Sequence, residues 1–483
     1  MSKEAIAAAH WRPAFHLSPP QGLMNDPNGL IYFAGRYHVF FQWNPHACAH
    51  GAKSWGHASS LNLVDWTLHP PALEPDDWYD SHGCYSGSAL EIDGRLWLIY
   101  TGNVRDGQER KSYQCLAVSD DGIHFTKQGL VLPHPPEGYT THFRDPKLWQ
   151  SEDGFHMVLG AQRSNGTGTV LHFYSQTLEN WTLRGELLTG NQYGYMCECP
   201  DLFTMQNQQI MLFCPQGQEG DNWLWPNANA SCYCSMDQDK SGFAPPQTLD
   251  YGPDFYAGQT MQGPNGERMM WGWMGRPEQS DTPSAAAGWT HCLSVPRVLD
   301  WQDGQLSQQP HPALQALRGN SLQLTGQAIH GEWQHPGLHG DCCELDITLS
   351  TTDNSACHIM LRQGRHCHTR LSWFPAEGVL ELDTRLSGAG DGRISRAPLP
   401  SSTQMRLHLL LDRSTLEIFA NDGKVVLSAC LFPDGGANGI SLLTEGSTCI
   451  EQLSFWPIKA MNVQEAPAAS LLAMGDASAD TQA

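Results

Sequence analysis

Residues 25–43 read NDPNGLIYFAGRYHVFFQW, and the pattern in them recurs. It has a polar or acidic start, a strand, a turn and an apolar strand. Further copies are YSGSALEIDGRLWLIYTGN (85–103), RDPKLWQSEDGFHMVLGAQ (144–162), ECPDLFTMQNQQIMLFCPQ (198–216) and YAGQTMQGPNGERMMWGWM (256–274). A second pattern runs out of phase with it: NLVDWTLHPPAL (62–73), DGIHFTKQGLVL (121–132) and TLENWTLRGELL (177–188), with Phe243 in the same role later. Strings such as Gly35-Arg-Tyr-His-Val-Phe-Phe and Gly94-Arg-Leu-Trp-Leu-Ile-Tyr read as strands after hairpin turns. Repeats of roughly 55–60 residues rich in short strands predict an all-β chain that begins with a five-bladed β-propeller. A propeller closes around a channel, so equivalent positions of each blade meet there. Asp26, Asp145 and Glu198 start corresponding units. Read alone, Asn-Asp-Pro-Asn-Gly is ordinary turn chemistry. Read in phase, it places Asp26 in a group of three converging carboxylates.

Composition agrees with that class and excludes others. The 483 residues are 40% apolar and carry a formal net charge of −22, with 17 Trp, 47 Gly and 31 Pro. That length suggests two or more domains. Such an acidic surface repels phosphate backbones and anionic lipid, so nucleic acid and membranes are not expected partners. No stretch has the apolar length of a membrane span. The start, MSKEAIAAAHWRPAFH, has no apolar signal-like region, and the chain reads as cytosolic. Fifteen cysteines in such a chain predict reduced thiols. Neither the C-x-C pairs (Cys197/Cys199, Cys232/Cys234) nor His46-Ala-Cys48-Ala-His50 has zinc-site spacing, so no metal is expected.

The propeller is expected to fill residues 1–300. Pro312 and Gly319 frame a short helix in a 301–320 linker. From 321 to 460 alternating strands, with an Asn-Asp-Gly hairpin at Asn421 to Gly423, predict a β-sandwich. Residues 461–483 are expected to form a flexible tail.

Paired carboxyl groups are the machinery of glycoside hydrolysis: one a nucleophile or base, the other a proton donor. Amide donors near Asp26 would keep it ionised, as a nucleophile requires. Asp145, beside Arg144 and near Lys147, fits an ionised group that holds sugar hydroxyls. Glu198, between two cysteines with no adjacent base, fits a partly buried general acid.

Together the segments HLSPPQGLMNDPNG, WGHASS, YSGSAL, FRDPK, ECPDLF, DFYAGQT and GWMGR, spanning residues 16 to 276, resemble glycoside hydrolase family 32, the β-fructofuranosidases. SVPR and LEIFANDG look like that family's linker and sandwich. The resemblance implies a five-bladed propeller plus a β-sandwich and a retaining double displacement. It makes Asp26 the nucleophile, Asp145 the transition-state stabiliser and Glu198 the acid/base. It puts Asn25, Gln42, Trp55, Ser86, Arg144, Tyr256 and Trp273 around the fructose, with no metal or organic cofactor. Three positions depart from common family patterns: Leu23 and His50 where Trp is frequent, and Cys197 where an aromatic often precedes the acid/base.

The resulting expectation is an invertase-type hydrolase whose partner is a small sugar, sucrose or a short fructo-oligosaccharide. Sucrose 6-phosphate is the close alternative. It calls for a basic patch at the leaving-group side, for which Lys53, Arg105 and Arg110 are the nearest candidates. A non-catalytic fructoside-binding propeller and a structural scaffold are readings of another class. Oligomeric state is not legible.

Overall fold

The computed structural model describes residues 9–220, 227–237, 242–279 and 282–466. Almost everything in it is strand. Three separate four-stranded antiparallel sheets lie within residues 84–132, 139–186 and 196–248. A fourth, five-stranded sheet is built from strands between residues 256 and 310. Each of these takes its strands from one stretch of chain. The sheet of residues 22–73 differs. Its four strands are joined by Trp289–Thr290, parallel to Gly22 and Leu23, on one edge. On the other edge Asn462–Glu465 runs parallel to residues 65–68. The arrangement is propeller-like.

The hairpins form where the repeat places them. At Ala34-Gly35, Asp93-Gly94 and Gln206-Asn207 both turn residues have positive φ, the geometry of tight turns whose twist matches the flanking strands. Out-of-phase aromatics such as Trp66, Phe125 and Trp181 pack into or against the apolar clusters of these sheets.

The C-terminal strands make one ten-stranded, sandwich-like sheet. Its long strand Gly439–Pro457 pairs with Leu322–Trp333, Cys342–Thr351 and Cys357–Gln363, and a single large apolar core lies within the sheet. The Asn421 to Gly423 hairpin joins Thr415–Ala420 to Val425–Cys430.

Two boundaries move. The hairpin of Arg297–Gln302 and Gln305–Pro310 belongs to the fourth sheet, so that sheet runs past the break expected at 300, and the short helix is a 3-10 turn over Pro312–Leu317. Within the expected tail, Asn462–Glu465 is a strand; residues 467–483 lie outside the described residues. All fifteen cysteines are free thiols. Among the described residues, no helix is long and apolar enough to cross a membrane.

Candidate active site

The first strand of each repeat copy carries a bulge near its start. Pairing slips between Met24 and Pro27, Tyr85 and Gly87, Glu198 and Asp201, and Tyr256 and Gln259. In the third copy it slips across Asp145-Pro146. Asp145, Cys199 and Ala257 sit at positive φ in these bulges. A bulge leaves residues unpaired and re-aims their side chains. Here it repeats, and the re-aimed residues meet. Asp26 therefore belongs to a bulged strand, Gly22–Phe33, rather than to a free turn.

They line one cavity of about 280 Å³. Ser86 Oγ donates to Asp26 Oδ2 at 2.6 Å and Asn25 Nδ2 donates to Oδ1 at 3.0 Å. Asp145 Oδ2 accepts from the Cys199 backbone N–H at 3.0 Å. The Cys199 thiol lies 3.6 Å from Asp26 Oδ2 and 3.7 Å from Asp145 Oδ2, wedged between the two acids. Glu198 is gripped from both sides. Arg144 Nε and Nη2 donate to its Oε1 at 2.9 and 2.7 Å, and the Tyr256 hydroxyl donates to Oε2 at 2.7 Å.

Sequence neighbours mislead about these charges. Glu198, read as lacking a basic neighbour, holds the Arg144 guanidinium. Lys147 faces away from Asp145 and bonds Asp201 at 2.8 Å. Burial pushes Asp145 up; Arg144 pulls it down, while Glu198 and Asp26 add to the rise. Burial also raises Asp26, opposed by the Ser86 hydrogen bond, with Glu198 raising it further and Asn25 and Lys53 lowering it. Neither acid is held low, whereas the sequence reading expected local donors and Arg144 to favour their ionised forms.

Nine of the ten expected site residues line the cavity. Trp55 is the exception. It is fully buried between the first two sheets, and its indole N–H donates to the Tyr85 carbonyl at 3.0 Å. It fixes the segment that presents Ser86. Gln42, which does line the cavity, does the same through the Cys84 carbonyl at 2.8 Å. Leu23 and Cys197 are buried and do not line the cavity, whereas His50 does, edge-on to Trp273 at 5.9 Å.

The sequence reading missed Tyr85, Gln216 and Pro277 as wall residues and could not place Arg110. Gln216 had a signal, since Gln42, Asn103, Gln162 and Gln216 all stand at or next to the end of a repeat copy. Arg110 sits directly across a strand pair from Arg105. Its Nη1 lies 3.4 Å from His142 Nδ1, which Arg144 Nη1 also approaches at 3.2 Å. Burial and these two cations push His142 down to about 4, so the ring is neutral and accepts from both.

Among the described residues, the group of acids, His or Cys close enough to share an ion is Asp76, Asp77 and Asp80. The Lys127 ammonium already occupies it, contacting Asp76, Asp80 at 2.6 Å and Asp77 at 3.4 Å.

The family model for the glycosyl hydrolases family 32 N-terminal domain matches residues 16–310, and that for the family 32 C-terminal domain matches residues 313–457. The chain belongs to glycoside hydrolase family 32. It is a glycoside hydrolase. It is 40% identical over 466 residues to the sucrose-6-phosphate hydrolase of Bacillus subtilis, covering 92% of this chain and 94% of that one. It is 38% identical to the raffinose invertase of Escherichia coli, covering 90% and 94%. Among solved structures, the sucrose-6-phosphate hydrolase of Lactobacillus gasseri aligns with a TM-score of 0.85 at 31% identity, covering 95% of each chain. A variant β-fructofuranosidase of Bombyx mori, solved in complex with sucrose, aligns at 0.79 and 30% identity over 95% and 96%.

Proposed function

We propose that this protein is a retaining β-fructofuranosidase that hydrolyses sucrose. The observation that carries the reading is the convergence of Asp26, Asp145 and Glu198, from three different sheets, on one cavity. Asp26 attacks the anomeric carbon of the fructosyl unit while Glu198 gives its proton to the departing glycosidic oxygen. Water then attacks the same carbon, Glu198 takes its proton, and the Asp26 carboxylate leaves. Asp145 binds fructose hydroxyls. Arg144 and Tyr256 aim Glu198; Ser86 and Asn25 hold Asp26. We read the sheet of residues 22–73 as the fifth blade of the propeller, followed by a separate sandwich unit. The free thiols support a reducing, cytoplasmic setting.

A second reading, sucrose 6-phosphate as substrate, is favoured by Arg110. Like charges directly opposite on paired strands are destabilising. Arg105 nonetheless stands directly across from Arg110, which lines the cavity, in a chain with only 28 Lys and Arg. A phosphorylated leaving group would compensate them.

One assay tests both readings: sugar release from sucrose, sucrose 6-phosphate and 1-kestose, with Asp26→Ala as control. Fructose release by the wild type, lowered by several orders of magnitude in the variant, is the expected outcome. A clear preference for the phosphorylated sugar selects the second reading. Binding without release from any of the three overturns the hydrolase assignment.

A further inference from the structure

Lys53 has no part in the mechanism above. It immediately precedes strand Ser54–Ser60, and its carbonyl accepts from the Cys84 N–H at 2.8 Å, which ties it to the second sheet. It is 4% exposed, and its Nζ is buried with no hydrogen-bond partner. A buried ammonium with three donors and no acceptor is among the costliest groups a fold can hold. A fold that retains one has a use for its charge or its protons.

The charged and titratable surroundings identify that use. Lys53 acts electrostatically on His50 and His291, both of which burial keeps neutral. The group that favours its charged form is Asp26. Asp26 in turn faces Glu198 and Asp145, whose negative charges disfavour its own, while the neutral Cys199 thiol gives it only a weak, long contact of 3.6 Å. Its hydrogen-bond donors, Ser86 and Asn25, are neutral. The cations that line the cavity are turned elsewhere, Arg144 to Glu198 and Arg110 to His142. A cation for Asp26 is otherwise missing.

We propose that Lys53 is a positioning residue for the nucleophile, its unpaired buried ammonium supplying the positive charge that keeps Asp26 ionised beside two other acids. The inference rests on the nucleophile assignment made above. The same charge acts again in the second half-reaction. In the fructosyl-enzyme, Asp26 is a neutral ester and Lys53 has no counter-charge. Hydrolysis of the ester restores the carboxylate and with it the pair. Burial lowers the Lys53 ammonium to about 7, with Asp26 opposing, so the pair needs Asp26 ionised and Lys53 protonated, and it is lost as pH rises through about 7.

The test uses Lys53→Met and Lys53→Gln. In both, the acidic limb of kcat/KM for sucrose moves to higher pH by about one unit, a tenfold loss on that limb. The unfolding temperature of Lys53→Met stays level or rises, because an apolar chain of similar length replaces an unpaired buried charge. A stability cycle gives a readout free of turnover. Asp26→Asn removes the counter-charge of Lys53, so its destabilising effect shrinks when Lys53→Met is also present. Acidic limbs that superimpose on the wild type overturn the proposal. So does lowered stability with equal activity loss at every pH, which marks a purely structural lysine. A wild type that releases no fructose fells the nucleophile reading itself, and a coupling of zero in the cycle then removes Lys53 independently.

Discussion

Ser86 gives Asp26 its shortest hydrogen bond, 2.6 Å, from a neighbouring sheet. A donor to a carboxylate favours the ionised form, so its loss raises the acid. Ser86→Ala is expected to move the acidic limb of kcat/KM to higher pH by about one to two units, the size of a charge-assisted hydrogen bond. A pH profile with an unmoved limb would detach Ser86 from Asp26. The three acids were legible in the sequence because they share a repeat phase. Their charge partners were not. The bulge at Asp145 breaks the strand's alternation and brings Arg144 and Asp145 to the same cavity, where Arg144 hydrogen-bonds Glu198, a residue 54 positions on. Trp55 was legible as a site residue for a different reason than its actual one, since holding a backbone carbonyl leaves no mark on composition.

The strands were easy to read and their ends were not. Hairpins announce themselves through Gly, Asn and Asp, whereas the parallel pairing of Asn462–Glu465 with residues 65–68 joins segments some 400 positions apart and has no local signature. Bulges are also silent, although here they build the site. The Asn421 to Gly423 hairpin shows what such tips do. Gly423 has φ +77°, its carbonyl accepts from Gln308 N–H at 3.0 Å, and a Cβ there would lie 1.6 Å from the Gln308 carbonyl oxygen. This tip locks the sandwich-like sheet onto the fourth sheet. Gly94 has φ +75° and open space around it. Gly94→Ala should therefore cost about 1 kcal/mol, from backbone strain alone. Gly423→Ala should cost about 3 kcal/mol or more, because backbone must move. Denaturant unfolding of the two variants checks the difference; equal losses would mean that the tip is not clamped.

Across the molecule, a buried charge network fastens the N-terminal segment, the fourth sheet and the sandwich together. His16 Nδ1 and Nε2 meet Asp412 at 2.8 Å and Glu417 at 2.9 Å, and Arg297 joins Glu417 at 2.5 Å and Asp250 at 3.1 Å. Burial alone would lower His16; the two carboxylates outweigh it and raise the imidazolium to about 9. Its folded value lies above the ordinary one of about 6.5. The contribution is therefore complete below about pH 6.5 and is lost as pH rises through about 9, on the order of 3 kcal/mol in all. Buried His38 and His291 act oppositely. Burial lowers them to about 4 and 3, so the unfolded chain gains their protons first and stability falls as pH drops below about 6.5. The unfolding temperature should peak near pH 6.5, where the two effects meet, and His16→Gln should flatten its alkaline side. An unchanged alkaline slope in that variant would mean that His16 is neutral.

The pairing of Gly22 and Leu23 with Trp289 and Thr290 has a temporal meaning. The strand that bears Asp26 is made before its edge partner, which emerges on the order of tens of seconds later at ordinary synthesis rates. Until then the nascent chain carries Asp26 but no closed pocket around it. Specific activity thus counts chains in which this distant pairing has formed rather than chains that merely contain β-structure.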